Sequence, residues 1–324
     1  MEQIDEFLVV ERAYSDDTDL PTIGLANIEA IVPGIEENKR KIERACRLFK
    51  QRGVNYAFFP EFCLSGYFWE DEPACWAYMD QAVTERHLDW IDERLRPLLD
   101  DTFRSIVLNN ISRGSGRRFL NTTFLVAEQI ADPLSQEFTY HKVFLPGIEK
   151  TYTESGRDDR LIITTRFGRK LGFTTCYDYL FGDLLREYTV IDEIDAIIEL
   201  ASWRSQATRD YPGMNVRTDL YYGELWDGIM SASSAMHQVW TIACNAVGTH
   251  GISGATFWGG SGIWAPSGLK LIQGSHFNEE LLVVHNIDFA AAQRQEKDDF
   301  DYSFDFREIY RPLQDGRGYT RKFD

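Results

Sequence analysis

Lys170-Leu171-Gly172-Phe173-Thr174-Thr175-Cys176-Tyr177-Asp178 reads as a short buried strand that ends abruptly on a thiol, an aromatic ring and a carboxylate. Polar groups that directly follow a buried strand point to function, because α/β folds build their sites at strand ends. Two further segments have this form. Tyr56-Ala57-Phe58-Phe59-Pro60-Glu61 delivers a carboxylate, and Tyr140-His141-Lys142-Val143-Phe144 carries an ammonium at or near a strand end. Taken singly, each has an ordinary reading. A cysteine after a strand fills core, while a glutamate after a strand or a lysine within one faces water.

Outward from these segments the chain alternates. Ile42, Ala45, Cys46 and Phe49 at helical spacing predict a helix over 38–53 between strands at 23–31 and 56–59. A helix at 87–99, strands at 105–111, 119–127, 138–143, 161–165 and 170–175, and a helix at 180–188 follow. The remainder reads as strands at 196–200, 239–245 and 281–288, with a helix within 224–236. No repeat or flexible linker interrupts the pattern, which predicts one α/β domain over 21–324, with 302–324 as a tail. Residues 1–20 carry seven acidic residues and read as an extension ahead of the core.

The composition bounds the chemistry. The formal net charge of −17 over 324 residues repels phosphate backbones, so nucleic acid is not the expected partner. No apolar run of membrane-spanning length and no basic, apolar leader is present, so a cytoplasmic protein with no membrane partner is expected. The five cysteines are scattered without a C-x-x-C pair, which argues against a disulfide framework and a zinc cage. No metal site and no organic cofactor is expected; the loop at 259–262 reads as a turn, not a phosphate cradle.

Taken in order, the motifs resemble the carbon-nitrogen hydrolase (nitrilase) superfamily, from about residue 22 to residue 288. They are Pro60-Glu61 with Ser65-Gly66-Tyr67, His141-Lys142-Val143-Phe144-Leu145-Pro146 with Glu149, Cys176-Tyr177-Asp178, Asn245-Ala246-Val247-Gly248, Gly260-Ser261-Gly262 and Pro266-Ser267-Gly268. The resemblance implies a four-layer α-β-β-α sandwich that dimerises to an eight-layer assembly, in a homodimer or higher homo-oligomer acting on a small-molecule substrate. It implies Cys176 as nucleophile, Glu61 as general acid and base, and Lys142 with the backbone N–H of Tyr177 as oxyanion partners. It also implies Glu149 as a second glutamate that orients substrate and water, with Glu154 as its rival. The division of labour is chemically sensible, since an ordinary thiol is mostly protonated at neutral pH and needs a base to attack an amide.

By resemblance, Tyr177-Asp178 after the cysteine favours the amidase and carbamoylase branch. The expected reaction is therefore hydrolysis of an amide or N-carbamoyl group through a thioester. Nitrile hydrolysis and thioester-mediated N-acyl transfer are the alternatives, and a catalytically silent scaffold is the reading from another class. Tyr67, Trp69, Trp203, Phe257 and Trp258 are candidate pocket walls. Arg204 is a candidate partner for a substrate carboxylate, while Glu70-Asp71-Glu72 would instead favour a cation. His141, His237 and His250 offer a Cys-His alternative. One departure from the family pattern is Ser233-Ser234-Ala235-Met236-His237 where an Arg-Ala-x-Glu-Asn run is usual.

Overall fold

The computed structural model describes residues 1–67, 72–156 and 160–310. Two sheets face each other. The first is eight-stranded, in the spatial order Glu2–Ile4, Phe7–Ala13, Glu280–His285, Ile23–Asn27, Tyr56–Phe58, Ser105–Arg113, Phe119–Ala127, Thr139–His141. The second is six-stranded, in the order Lys270–Gln273, Gly262–Trp264, Trp240–Asn245, Ala196–Ala201, Lys170–Thr175, Ile162–Thr164. Both sheets mix parallel and antiparallel pairs. Parallel neighbours require a crossover, and the helix Ile35–Gln51 supplies the one between Ile23–Asn27 and Tyr56–Phe58.

Burial fixes the layers. Leu25, Phe58 and Val107 from one sheet meet Phe173, Ile198, Leu200 and Ile242 from the other in a shared core. On the outer face of the first sheet, Ala26, Ala57 and Ile106 pack on Ile42, Cys46 and Phe49 of the helix Ile35–Gln51. On the outer face of the second, Ile197, Ala201 and Ala243 pack on Trp226 and Met230 of the helix Tyr221–His237. These contacts make the expected α-β-β-α sandwich. The strands at its centre are buried on both faces, which is why Ala196–Ala201 reads as a continuous apolar run with one glutamate.

The expected element positions hold for the central strands and shift at several ends. The helix expected at 87–99 is present as one helical run from Leu88 to Leu98, whose pitch changes from α to π to 3-10 along its length. The helices Glu72–Ala82 and Phe289–Asp299 and the hairpin Arg209–Tyr211 with Val216–Thr218 were not legible. The largest correction concerns residues 1–20. Phe7–Ala13 is a strand paired in parallel with Glu280–His285, and its Phe7 and Val9 are buried in the outer core. Its acidic neighbours misled the reading, because Glu2, Glu6 and Glu11 pair with Arg44 and Arg52 across the helix Ile35–Gln51. The core therefore starts near Phe7, not Pro21. The tail beyond residue 310 lies outside the described residues.

No helix among the described residues is long and apolar enough to cross a membrane. Phe7→Ala should lower the unfolding free energy by about 3–5 kcal/mol in urea titrations, the range for an aromatic deleted from a packed core. A dispensable extension would instead show no shift.

Candidate active site

The carboxyl ends of the parallel strands of both sheets converge on one place. Glu61 lies just past Tyr56–Phe58, Cys176 directly follows Lys170–Thr175, and Ser202 directly follows Ala196–Ala201. The sheets are stitched together there. Glu61 N–H donates to the Ala201 carbonyl (3.3 Å) and the Ser202 hydroxyl donates to the Glu61 carbonyl (2.7 Å). Two turns aim the side chains. Phe62, just after Glu61, and Cys176 itself both take left-handed backbone conformations, each with φ 52°. For a residue with a Cβ such a conformation costs about 1–3 kcal/mol and persists only where the surroundings enforce it.

At the centre the Lys142 ammonium donates to Glu61 Oε1 (2.7 Å) and to Glu149 Oε1 (2.6 Å), and none of the three side chains has exposed surface. Burial opposes the ammonium, but the charges of Glu149 and Glu61 outweigh it and hold the Lys142 pKa well above its usual value. Burial, reinforced by Glu61 and opposed by Lys142, raises Glu149. Every carboxylate oxygen of the pair has at least one donor. Asn121 Nδ2 donates to Glu61 (2.8 Å) and to Glu149 (3.1 Å), Ser202 N–H to Glu61 Oε2 (2.8 Å), and the Tyr67 hydroxyl to Glu149 (2.6 Å). Lys142 itself is seated by its backbone: its N–H donates to the Asn121 carbonyl (2.9 Å) and its carbonyl accepts from Gly156 N–H (2.8 Å). A Cβ at Gly156 would stand 2.2 Å from the His141 carbonyl oxygen, so only glycine permits that approach.

Cys176 is half-buried and lines a cavity of about 350 Å³. Burial and the Glu61 charge push its thiol well above the ordinary value, with Lys142 pulling the other way. The cavity walls include Tyr67, Ile148, Tyr177, Leu180, Trp203 and Tyr222, with Arg204 as their charged member. A cavity-lining thiol that feels the charges of a buried carboxylate and a buried ammonium forms a set suited to proton-coupled attack on an electrophilic carbon.

The expected residues divide. Glu61, Lys142 and Glu149 come together, while Cys176, Tyr67, Tyr177, Trp203 and Arg204 line the cavity above them. Glu154 does not join them, its carboxylate capping Ser115 in a surface turn. Phe257 packs in a side core with Val32 and Ala246, and Trp258 lies over Gly223 and His276, so neither lines the cavity. Trp69, Glu70 and Asp71 lie outside the described residues, as does the side chain of Glu72. None of His141, His237 and His250 lines the cavity. Ser234, in the unusual run 233–237, binds Thr241 in the helix layer and does not line the cavity.

Sequence reasoning missed Asn121, Ser202 and Tyr222. Asn121 carried a signal, an amide within the otherwise strand-forming run Phe119–Ala127. The motif residues Asn245 and Ser261 have structural work: Asn245 accepts from Trp203 N–H (2.7 Å), and Ser261 binds Asn27 (2.9 Å) and the Asn245 N–H (2.9 Å).

Glu199, within Ala196–Ala201, is fully buried; Thr174 meets one oxygen (2.6 Å) and the other has no partner among the described residues. Burial holds its carboxyl well above the ordinary value. The native state thus keeps a proton that the unfolded chain releases, so this group's contribution to stability is full below the unfolded pKa and lost as pH rises through the folded one. Glu199→Gln, which cannot titrate, should flatten the decline of Tm as pH rises above the ordinary carboxylate range. Parallel declines in the two proteins would refute that account.

A sequence model described as carbon-nitrogen hydrolase matches residues 23–297. A comparison with curated proteins finds no match. Among solved structures, an amidase from Nesterenkonia sp. AN1 is 21% identical with a TM-score of 0.66, over 90% of this chain and 99% of that one. A CN-hydrolase superfamily protein from Xanthomonas campestris, with an arsenic adduct in its active site, is 17% identical with a TM-score of 0.69, over 94% of this chain and 99% of that one. The glutamine-dependent NAD+ synthetase from Acinetobacter baumannii is 16% identical with a TM-score of 0.63 over 81% of this chain, which spans only 44% of the synthetase. At these identities the likeness is one of fold.

Proposed function

The chain belongs to the carbon-nitrogen hydrolase family, and from that premise we propose that it hydrolyses the amide or N-carbamoyl group of a small molecule through a thioester on Cys176. The observation that supports this most is the buried Lys142 ammonium held between Glu61 and Glu149 beside a cavity-lining thiol.

In the proposed cycle the Cys176 sulfur attacks the carbonyl carbon while Glu61 takes the thiol proton. The thiol's raised pKa favours this concerted transfer over a standing thiolate. The carbonyl oxygen becomes an oxyanion facing the Lys142 ammonium and the Tyr177 N–H. As the intermediate collapses, the carbon–nitrogen bond breaks and Glu61 returns its proton to the leaving ammonia or amine. Glu61 then deprotonates a water that attacks the thioester carbon, and the departing sulfur recovers a proton from Glu61. Glu149 keeps Lys142 in place and orients substrate and water.

The proposed substrate class is supported by the cavity and by the residues after the cysteine. Tyr177-Asp178 supports the amide side over nitriles. Aromatic and aliphatic walls support a substrate with an apolar body, and Arg204 in the lining supports a carboxylate on it, as in an N-carbamoyl amino acid.

An ammonia-release screen over amides, N-carbamoyl amines, N-carbamoyl amino acids and nitriles tests this. Release is expected from the amide or N-carbamoyl group and should vanish in Cys176→Ala. Glu61→Gln should lower kcat by about 10²–10⁴-fold. Iodoacetamide should label Cys176 ahead of the four other cysteines, and more slowly in Glu61→Gln. Release from nitriles alone would overturn the branch assignment. No release at all, with Cys176 labelled no faster than the other thiols, would overturn the hydrolase reading.

A further inference from the structure

Asp178, two residues after the thiol, is fully buried and makes no contact with the cavity, yet it holds three donors from two separate segments. Its Oδ1 accepts from Phe144 N–H (2.7 Å), and its Oδ2 accepts from the Tyr140 hydroxyl (2.7 Å) and from Thr175 N–H (3.2 Å). Thr175 completes the grip, its side chain accepting from the Asp178 N–H in a reciprocal cap at the start of the turn Cys176–Leu180. Tyr140 and Phe144 stand two residues before and two residues after Lys142. The Phe144 ring also stacks on Phe181, centroids 3.5 Å apart and planes within 9°, which ties the lysine segment to the far end of the same turn.

We propose that Asp178 is a positioning residue that sets the Lys142 ammonium against the Cys176 sulfur, by gripping the chain on both sides of the lysine and the turn that carries the thiol. The inference rests on the hydrolase reading above. Neither segment could be registered on the other by the Lys142 side chain alone, which is long and rotatable. A carboxylate accepts at all its lone pairs and so suits three donors; an amide of the same shape has one accepting oxygen and turns an N–H₂ toward donors.

The same geometry makes the grip sensitive to protons. The groups facing Asp178 are Lys142 and Tyr140 from the lysine segment, Glu199 from the neighbouring strand and Tyr188 from the helix side. Burial raises the Asp178 carboxyl to about 6, against the pull of Lys142, Phe144 N–H and Tyr140. As pH falls through that value, one oxygen gains a proton and meets donors with a donor. Protonation leaves the fold bound, since a raised folded pKa favours the protonated native state, but it loosens the tie between lysine and thiol.

Asp178→Asn should therefore lower kcat by roughly a hundredfold with KM unchanged, the scale of a displacement of about 1 Å in a reacting group. It should also abolish the acid limb of kcat near pH 6. Tyr140→Phe, which removes one bond and keeps the ring, should lower kcat about fivefold with KM unchanged. A folded Asp178→Asn with wild-type kcat and an unchanged acid limb, or with its loss expressed in KM, would overturn the proposal. If that variant fails to fold, Tyr140→Phe decides, and wild-type kcat and pH profile there would overturn it equally. Failure of the hydrolase reading looks different: the unsubstituted protein would then release no ammonia and show no preferential alkylation of Cys176.

Discussion

A buried ammonium sits between two buried carboxylates at the seam of the two sheets, and much of the surrounding structure answers to it. The three side chains Lys142, Glu61 and Glu149 are shut off from water. Removing one member of such a set leaves an uncompensated buried charge, which typically costs about 3–5 kcal/mol. Two carboxylates also have more lone pairs than one ammonium can satisfy. Asn121 from the first sheet, Ser202 N–H from the end of a second-sheet strand and the Tyr67 hydroxyl from a loop supply further donors. Each donor belongs to a different element, so the charge cluster specifies how those elements dock. Apolar packing alone tolerates small slips between sheets. A buried ion cluster does not.

That demand accounts for two of the left-handed positions in the backbone. Left-handed conformations at Phe62 and Cys176 turn the chain sharply at two strand ends, one beside the ion cluster and one above it. Glycine would take these conformations without penalty, but Cys176 must carry a side chain. The capping of Asp178 by Thr175 and the bond of Phe62 N–H to Asn109 Oδ1 (2.9 Å) are the local compensations. Local strain and long-range polar contacts thus balance at the same two turns.

The three reactive strand ends were legible because a charged or nucleophilic residue interrupts an apolar run, and such an interruption is visible without any knowledge of contacts. Their convergence was not legible from the residues alone. Glu61 and Lys142 are 81 positions apart, and only the resemblance to a family joined them. Asn121 and Ser202 were missed because a side chain that serves another side chain leaves no pattern of its own in sequence. Trp258 and Phe257 were misread for the opposite reason: a dense aromatic run looks like a cavity wall, whereas Gly223 leaves room for Trp258 to pack on a helix. The strand Phe7–Ala13 was hidden by carboxylates whose partners, Arg44 and Arg52, lie across the helix that follows. Sequence charge alone suggested solvation, and tertiary pairing reversed it.

The charge of the buried cluster also constrains what chemistry it can support. With both carboxylates ionised, Glu61, Lys142 and Glu149 would together carry one net negative charge beside the thiol. In the proposed attack the thiol proton neutralises Glu61 as the oxyanion forms near Lys142, so one negative charge moves from carboxylate to oxyanion and the total stays the same. A region with little water handles a shift of charge far better than its creation, because fixed dipoles must then serve only one sign. A standing thiolate would instead add a second net negative charge to the same place, which the raised pKa of Cys176 disfavours. The apolar walls of Ile148, Leu180 and Trp203 sharpen this difference by lowering the local dielectric. Burial of the cluster and the raised pKa of the thiol are therefore two consequences of one arrangement, and the proposed cycle draws on both.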